Sequence, residues 1–430
     1  MSVTSHTIHD ALTSLVGKRV QPAGAQDTIA GVPAQFVVEP QNEQEVAAVL
    51  SFANQEGLKL SVRGGGTQLD MGTPPNSCDI LLNMTGMNQI IEHQPHDMTV
   101  SVQAGLRLLD LQTHLATTQQ WLALDPPLES EATIGGLIST NPSGPRRLRF
   151  GGVRDQLIGL RVVLPDGTIA KGGGKVVKNV AGYDLPKLYI GALGTLGVIV
   201  AATFRLYPLH AASKTVLLSA PSPTLLCELA VRVIASTLEP TALDISNSLQ
   251  DSTYTLAARF ETEPETVADQ IDALLTLAGS LAETARMLDH EEEAQFWQQS
   301  ARQMMAPHGA DDILIVKASV LPTDVATWLE HLRQITQHEQ LSVQWCAHAG
   351  HGLIFARLGG SQNALTAAVQ QLREQANNLH GSLVVTQAAP TLARAIDIWG
   401  PIPALSLMRN LKERFDPNAI MNPGRFVGGI

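Results

Sequence analysis

Arg63-Gly-Gly-Gly-Thr67, Thr133-Ile-Gly-Gly-Leu-Ile-Ser-Thr-Asn-Pro-Ser-Gly144 and Gly191-Ala-Leu-Gly-Thr-Leu-Gly-Val-Ile199 are three glycine-rich loops, each beside apolar, strand-like residues. Glycine lets a backbone approach a ligand closely and turn its N–H groups onto it. One such loop carries little information. Three in one region imply an extended cofactor held along its length, and a dinucleotide has that shape.

The first loop is not a Rossmann turn. That turn needs Gly-x-Gly-x-x-Gly opening a helix. Here Gly64-Gly-Gly66 runs on into Thr-Gln-Leu-Asp-Met-Gly-Thr-Pro-Pro, where the third glycine is missing and two prolines block a helix. Gly172 to Gly174 with Lys175 is not a P-loop either, because Val176 stands where Ser or Thr would reach magnesium.

Working outward, Phe36–Val38 is strand-like, and Val46, Val49, Leu50 and Ala53 form one apolar face of a helix over 43–56. Gly57 stops that helix; strands over 58–62 and 79–83 complete a small β-α-β-β unit. A second unit follows. It comprises a period-two strand over 98–103, a helix over 108–119, the second loop, a strand over 157–164, the turn Pro165-Asp-Gly-Thr168, the third loop and a strand over 198–206.

From about 215 to 387 the pattern β-α-β-β-α-β occurs twice, which is the ferredoxin-like order. The acidic stretch 289–302 connects the two copies. The expected organisation is an N-terminal helix and linker (1–30), a cofactor-binding domain (31–210), a cap of tandem ferredoxin-like units (211–390) and a terminal segment (391–430) that packs back on the cofactor domain.

The chain has 430 residues, 44% hydrophobic and 16% charged, as expected of a soluble globular protein of more than one domain. A net charge of −11 argues against nucleic acid as a partner. The cysteines Cys78, Cys227 and Cys346 are widely separated and form no Cys-x-x-Cys pair, which argues against an iron–sulfur cluster within this chain. No basic leader with an apolar run opens the sequence, and no stretch reaches the length of a membrane span. The cytoplasm is the expected location.

Over roughly 140 residues the loops resemble, in order, the FAD-binding domain shared by vanillyl-alcohol oxidase and p-cresol methylhydroxylase, abbreviated PCMH. The matching motifs are the Arg63 loop, Ala132-Thr-Ile-Gly-Gly136 with Thr140-Asn141 and Gly144, Gly151 with Arg154-Asp155, Pro165-Asp-Gly167, and Gly194-Thr-Leu-Gly-Val-Ile199. The resemblance implies an α+β fold: a PCMH-type FAD-binding domain of two α+β subdomains. It also implies cofactor contacts from Arg63, Gly64, Gly65, Gly66, Thr67 and Gln68 at the pyrophosphate. Pro126, Ala132, Thr133, Gly135, Gly136, Thr140, Asn141, Ser143 and Gly144 would line the other side. Gly194, Thr195, Leu196, Gly197, Val198 and Ile199 would lie against the adenosine half and the flavin edge. For Arg63, a structural salt bridge stands beside the diphosphate contact as an alternative. Many members attach FAD through a histidine near the first loop. Thr67 and Gln68 occupy that place here, so FAD is expected to be bound non-covalently.

A narrower resemblance is to the 2-hydroxyacid dehydrogenase branch, with its D-lactate dehydrogenases and glycolate oxidase flavin subunits. Lys178-Asn-Val-Ala-Gly-Tyr-Asp-Leu-Pro-Lys-Leu188, Asn141-Pro-Ser-Gly-Pro-Arg146 and Asn422-Pro-Gly-Arg425 carry it, and Asn422 joins the expected cofactor set. Catalytic members carry His-x-Gly-Asp-Gly-Asn-x-His and a later Glu-His-Gly, whose outer histidines and glutamate hold a metal. The matching stretch is His348-Ala-Gly-His-Gly-Leu-Ile-Phe355, and Thr386-Gln-Ala-Ala-Pro390 stands at the later position. With two of three ligands absent, no metal is expected.

Catalytic residues are not fixed by the sequence; the candidates are Tyr183, Lys178, His348 and His351. Each has an ordinary structural reading beside the chemical one. The expectation is an FAD-binding subunit of a glycolate-oxidase-like complex, with a companion flavin subunit and an iron–sulfur subunit. Its substrate would be a small 2-hydroxy acid, and any contact with the inner face of the membrane would come through its partners. The alternatives are a stand-alone dehydrogenase with a non-metal substrate clamp, and a structural subunit that has lost flavin.

Overall fold

The computed structural model describes residues 5–174, 184–247, 253–305 and 312–430. They fall into two compact units. The first holds residues 5–142, 152–209 and 401–430, and the second holds 143–151 and 210–400.

In the first unit, one four-stranded sheet runs in the order Val20–Pro22, Phe36–Val38, Ile80–Asn83, Leu60–Arg63. The last three strands are parallel, and helix Glu43–Glu56 lays Val46, Val49, Leu50 and Ala53 against them. That helix starts where the Asn42 side chain accepts from the Glu45 N–H, and ends at Gly57, whose φ of 69° is left-handed. A second, antiparallel sheet has the order Ile169–Gly173, Leu157–Val163, Val198–Arg205, Thr99–Gln103, Ile90–Gln94. Its outermost strands, like Val20–Pro22, are short or exposed and carry little apolar alternation, so the sequence did not announce them.

The chain end belongs to this unit. Met421 bridges Leu60, and the Asn422 N–H donates to the Leu60 carbonyl at 2.9 Å. One helix, Ile134–Thr140, sits inside the second glycine loop, where Gly135 and Gly136 argue against helix. Tertiary packing decides it. A Cβ on Gly135 would stand 3.0 Å from the Ala104 Cβ, so only glycine lets the helix seat on its neighbour.

The second unit is one continuous eight-stranded antiparallel sheet. Its first half runs Thr284–Asp289, Ala212–Ala220, Tyr254–Thr262, Ala242–Asn247. The second half runs Ser342–His348, Leu353–Gly359, Ile313–Ser319, Ser382–Ala388. Both halves are β-α-β-β-α-β, so the tandem ferredoxin-like cap is the fold observed. They join by pairing Ala242–Asn247 with Ser342–His348, placing Asp244 opposite His348.

Helices Pro223–Ile234, Pro264–Ala278, Val325–His338 and Gln362–Asn378 bury their apolar faces in one core with Leu243, Ile245, Trp345 and Ala347. The acidic connector is helix His290–Gln303, anchored by the buried Glu293, which accepts from Thr215 at 2.7 Å and Ser213 at 3.0 Å.

Candidate functional site

A cavity of about 870 Å³, counting its open mouth, lies in the first unit and gathers all three glycine loops. The first loop leaves strand Leu60–Arg63, and its glycines are dictated by the segment beside it. A Cβ on Gly64 would stand 2.0 Å from Thr133 Oγ1. Among the described residues, no backbone hydrogen bond is made by the N–H groups of Gly64 through Gln68, so five consecutive donors remain for something else.

Gly64, Gly65, Gly66, Thr67 and Gln68 all line the cavity. So do Pro126, Ala132, Thr133, Gly135, Gly136 and Thr140, and from the third loop Gly194, Gly197, Val198 and Ile199. The other expected residues do different things. Arg63 pairs with the buried Asp27 at 2.7 Å, the salt-bridge alternative. Asn141 ends the helix Ile134–Thr140 with a left-handed φ of 49°. Ser143 and Gly144 belong to the second unit. Thr195 is buried, its hydroxyl donating to the Ala192 carbonyl, and Leu196 joins the apolar core. Asn422 donates from Nδ2 to the Leu193 carbonyl at 2.7 Å and so shapes the third loop from behind.

Arg425 also lines the cavity and was quoted in the Asn-Pro-Gly-Arg motif without being assigned a role. It is only 4% exposed and donates to the carbonyls of Leu69 at 2.8 Å, Met71 at 3.3 Å and Gln68 at 3.4 Å. Burial pulls its pKa down to about 10, so it is still a cation at neutral pH. A guanidinium suits this task because its fork of donors can hold several carbonyls at once. Lys412 works beside it. Its ammonium donates to Asp416, to the Thr195 carbonyl at 2.8 Å and to the Met421 carbonyl at 2.9 Å. Neither contact was foreseeable from sequence spacing, since each joins residues more than 200 or 300 positions apart, apart from Asp416 and Met421.

The cavity wall has one further unsatisfied group. Thr133 is 1% exposed, and its hydroxyl has no hydrogen-bond partner. A buried unpaired hydroxyl is costly unless a ligand meets it. The donor set is a row of free N–H groups, an orphaned hydroxyl, a buried arginine behind the loop and apolar side chains around Leu137 and Ile199. It fits a cofactor with a diphosphate and flat, largely apolar rings. No histidine or cysteine is among the described lining residues.

The cap candidates lie in the second unit. His348 Nδ1 is 2.7 Å from Asp244 Oδ1, and the Cys346 thiol points at Asp244 Oδ2 at 3.6 Å. Asp244 and Cys346 were not singled out in the sequence, because only the pairing of strands 100 residues apart brings them to His348. The rings of His348 and His351 lie 5.7 Å apart, and both ring nitrogens of His351 are buried without a partner. Burial, then the charges of His348 and Arg147, push His351 down to about 3, so it is neutral. Phe355, at the expected ligand-histidine position, packs edge-on to His348 at 5.4 Å. Lys178 and Tyr183 lie outside the described residues.

Comparison with known proteins agrees with this geometry. The model of an FAD binding domain matches residues 34–173, and that of the C-terminal domain of FAD linked oxidases matches residues 209–426. The chain is 29% identical over 424 residues to a protein named glycolate oxidase subunit GlcD of Bacillus subtilis, covering 90% of this chain and 88% of that one. It is 28% identical to a D-lactate dehydrogenase of Archaeoglobus fulgidus, covering 91% of each, and 26% identical to a D-2-hydroxyglutarate dehydrogenase of Xanthomonas citri, covering 90% and 88%. Among solved structures, alkyldihydroxyacetonephosphate synthase has the same fold, with a TM-score of 0.72, 17% identity, and coverage of 92% of this chain and 78% of that one. The chain belongs to the FAD-linked oxidase family and is an FAD-dependent oxidoreductase.

Proposed function

We propose that this chain is the FAD-binding subunit of a cytoplasmic complex that oxidises a small 2-hydroxy acid, glycolate or D-lactate. Its partners are a companion flavin subunit and an iron–sulfur subunit that carries the electrons away. The observation that carries the reading is the cradle of unbonded N–H groups from Gly64 to Gln68, facing the orphaned hydroxyl of Thr133. The names of the relatives supply the substrate class. Oxidation of a carbon bearing a hydroxyl also needs a two-electron acceptor, which FAD supplies when bound.

The chain's own part is to bind and to position. The N–H groups of Gly64 to Gln68 and the Thr133 hydroxyl would hold the diphosphate of the bound cofactor. Gly194 and Gly197 keep the third loop free of side chains at the cavity wall, and Arg425 fixes the carbonyls of the first loop so that its N–H groups turn inward. In the cap, Asp244 sets the imidazole of His348, because an ionised carboxylate accepts only from a protonated Nδ1. Among the described residues no helix is long and apolar enough to cross a membrane. Any membrane contact would come through the partners.

The stand-alone reading is favoured by one observation, the ordered Asp244–His348 pair, which offers a proton acceptor without outside help. Anaerobic mixing of the purified chain with glycolate and with D-lactate, alone and with its companion subunits, separates the two. Reduction only in the complex supports the primary reading, and rapid reduction of the lone chain supports the other.

A further inference from the structure

The eight-stranded sheet is closed at its seam by a cluster of which the reading above uses only the Asp244–His348 pair. Cys346 and His348 are two apart on one strand, and Asp244 is directly opposite His348 on the next. Successive strand residues point to opposite faces. Leu243, Ile245, Trp345 and Ala347 belong to the helix-covered core, so Asp244, Cys346 and His348 share the other face. All three are buried, at 4%, 3% and 7% exposure.

One ligand atom from each lies within 4.8 Å of the others. We propose that this seam binds one divalent transition metal ion of zinc-like chemistry through Asp244, Cys346 and His348, and that the ion ties the two halves of the cap together.

The geometry is close to what such an ion needs. Bond lengths of about 2.0–2.3 Å place tetrahedral ligand atoms roughly 3.3–3.7 Å apart. The present separations are 2.7 Å between Asp244 Oδ1 and His348 Nδ1 and 3.6 Å between Asp244 Oδ2 and Cys346 Sγ, and the imidazole must draw back from the carboxylate by about 0.6–1.0 Å to admit the ion. Thiolate, imidazole and carboxylate together select zinc-like ions over magnesium or calcium.

Charge also balances. A dication with one carboxylate, one thiolate and a neutral imidazole is neutral overall, which a buried site requires. Binding releases the thiol proton of Cys346 to solvent and moves the His348 proton from Nδ1 to Nε2. Because the thiol must lose its proton to bind the ion, binding weakens as the pH falls. The site departs from the expectation of no metal, which considered only the family's ligand positions at His348, Phe355 and the Thr386–Pro390 stretch. The burial of the three ligands gives the ion a structural role.

The test uses the FAD-loaded chain, stripped with a chelator and titrated with zinc under native mass spectrometry, followed by zinc X-ray absorption. The expected result is one zinc per chain with one sulfur ligand at about 2.3 Å. Cys346→Ser and Asp244→Asn should each weaken binding at least about tenfold. Chelation should lower the melting temperature of the wild type and leave that of Cys346→Ser unmoved. No stoichiometric zinc, an absorption spectrum without sulfur, or unchanged affinity in both variants would overturn the proposal. Should a variant fail to fold, judged by circular dichroism, the sulfur signal of the wild type decides.

Discussion

The carbonyl oxygen of Glu131 lies 1.7 Å from where a Cβ on Gly65 would stand. The two loops of the cofactor cavity therefore touch backbone to backbone at this point, and the first loop is glycine-rich because its neighbour leaves no room. Seen from the sequence alone, Gly65 is a residue that lets the chain approach a ligand. In the structure it first lets one loop approach another.

Gly65→Val is expected to part the loops. Overpacking of this kind costs about 1–3 kcal/mol, and the N–H row is displaced with it. The measurement is the ratio of flavin to protein after purification, alongside a thermal melt. A variant with full flavin content and an unchanged melt would mean that the cavity is not where FAD binds.

Arg425→Lys keeps the charge but is shorter and lacks the planar fork that reaches the Leu69, Met71 and Gln68 carbonyls together, so FAD affinity should fall at least about tenfold with the fold intact. Quenching of flavin fluorescence on titration into apoprotein reads this directly. Equal affinities would show that the clamp does not govern the loop.

Non-covalent attachment predicts that heat or acid precipitates colourless protein and leaves yellow FAD in solution. The absence of a lining histidine or cysteine among the described residues supports this outcome. Yellow colour retained in the pellet would reveal a covalent bond.

Glu261 supplies a pH prediction for the cap. Burial alone would raise its pKa. Hydrogen bonds from His210 and Arg146, with the charges of Arg146 and Arg259, outweigh burial and hold the carboxyl far below its ordinary 4.5. Arg146 reaches it through two bonds, at 2.6 and 3.0 Å. The unfolded chain takes up this proton near pH 4.5 and the folded chain only at much lower pH. The stabilisation is therefore complete above about 4.5 and is lost as the pH falls below it. Glu261→Gln should cost about 3–5 kcal/mol at neutral pH and flatten this acid limb in a series of denaturant melts. A wild type whose stability does not change between pH 5 and about 3 would contradict the assignment.

What could be read beforehand follows from how local each signal is. Helix Glu43–Glu56 was legible because its apolar stripe and the Gly57 stop are encoded within a few residues. The two ferredoxin-like halves were legible from strand and helix periods, but not their fusion into one sheet, which depends on pairing Asp244 with His348 across the chain. Glycine loops announced the cavity, whereas the partner of Arg63 is Asp27, 36 residues away in sequence and 2.7 Å away in space. Arg425, Lys412 and Cys346 acquire meaning only from long-range contacts. Helix Ile134–Thr140 ran against the propensity of its own glycines.

The central claim is that this flavoprotein oxidises 2-hydroxy acids as part of a complex. Anaerobic stopped-flow spectroscopy of the FAD-loaded chain with glycolate and D-lactate tests it most directly, with and without the companion subunits. The account predicts rapid bleaching of the flavin bands in the assembled complex and little in the lone chain. Equally rapid bleaching of the lone chain, or none by either acid in the complex, would contradict it.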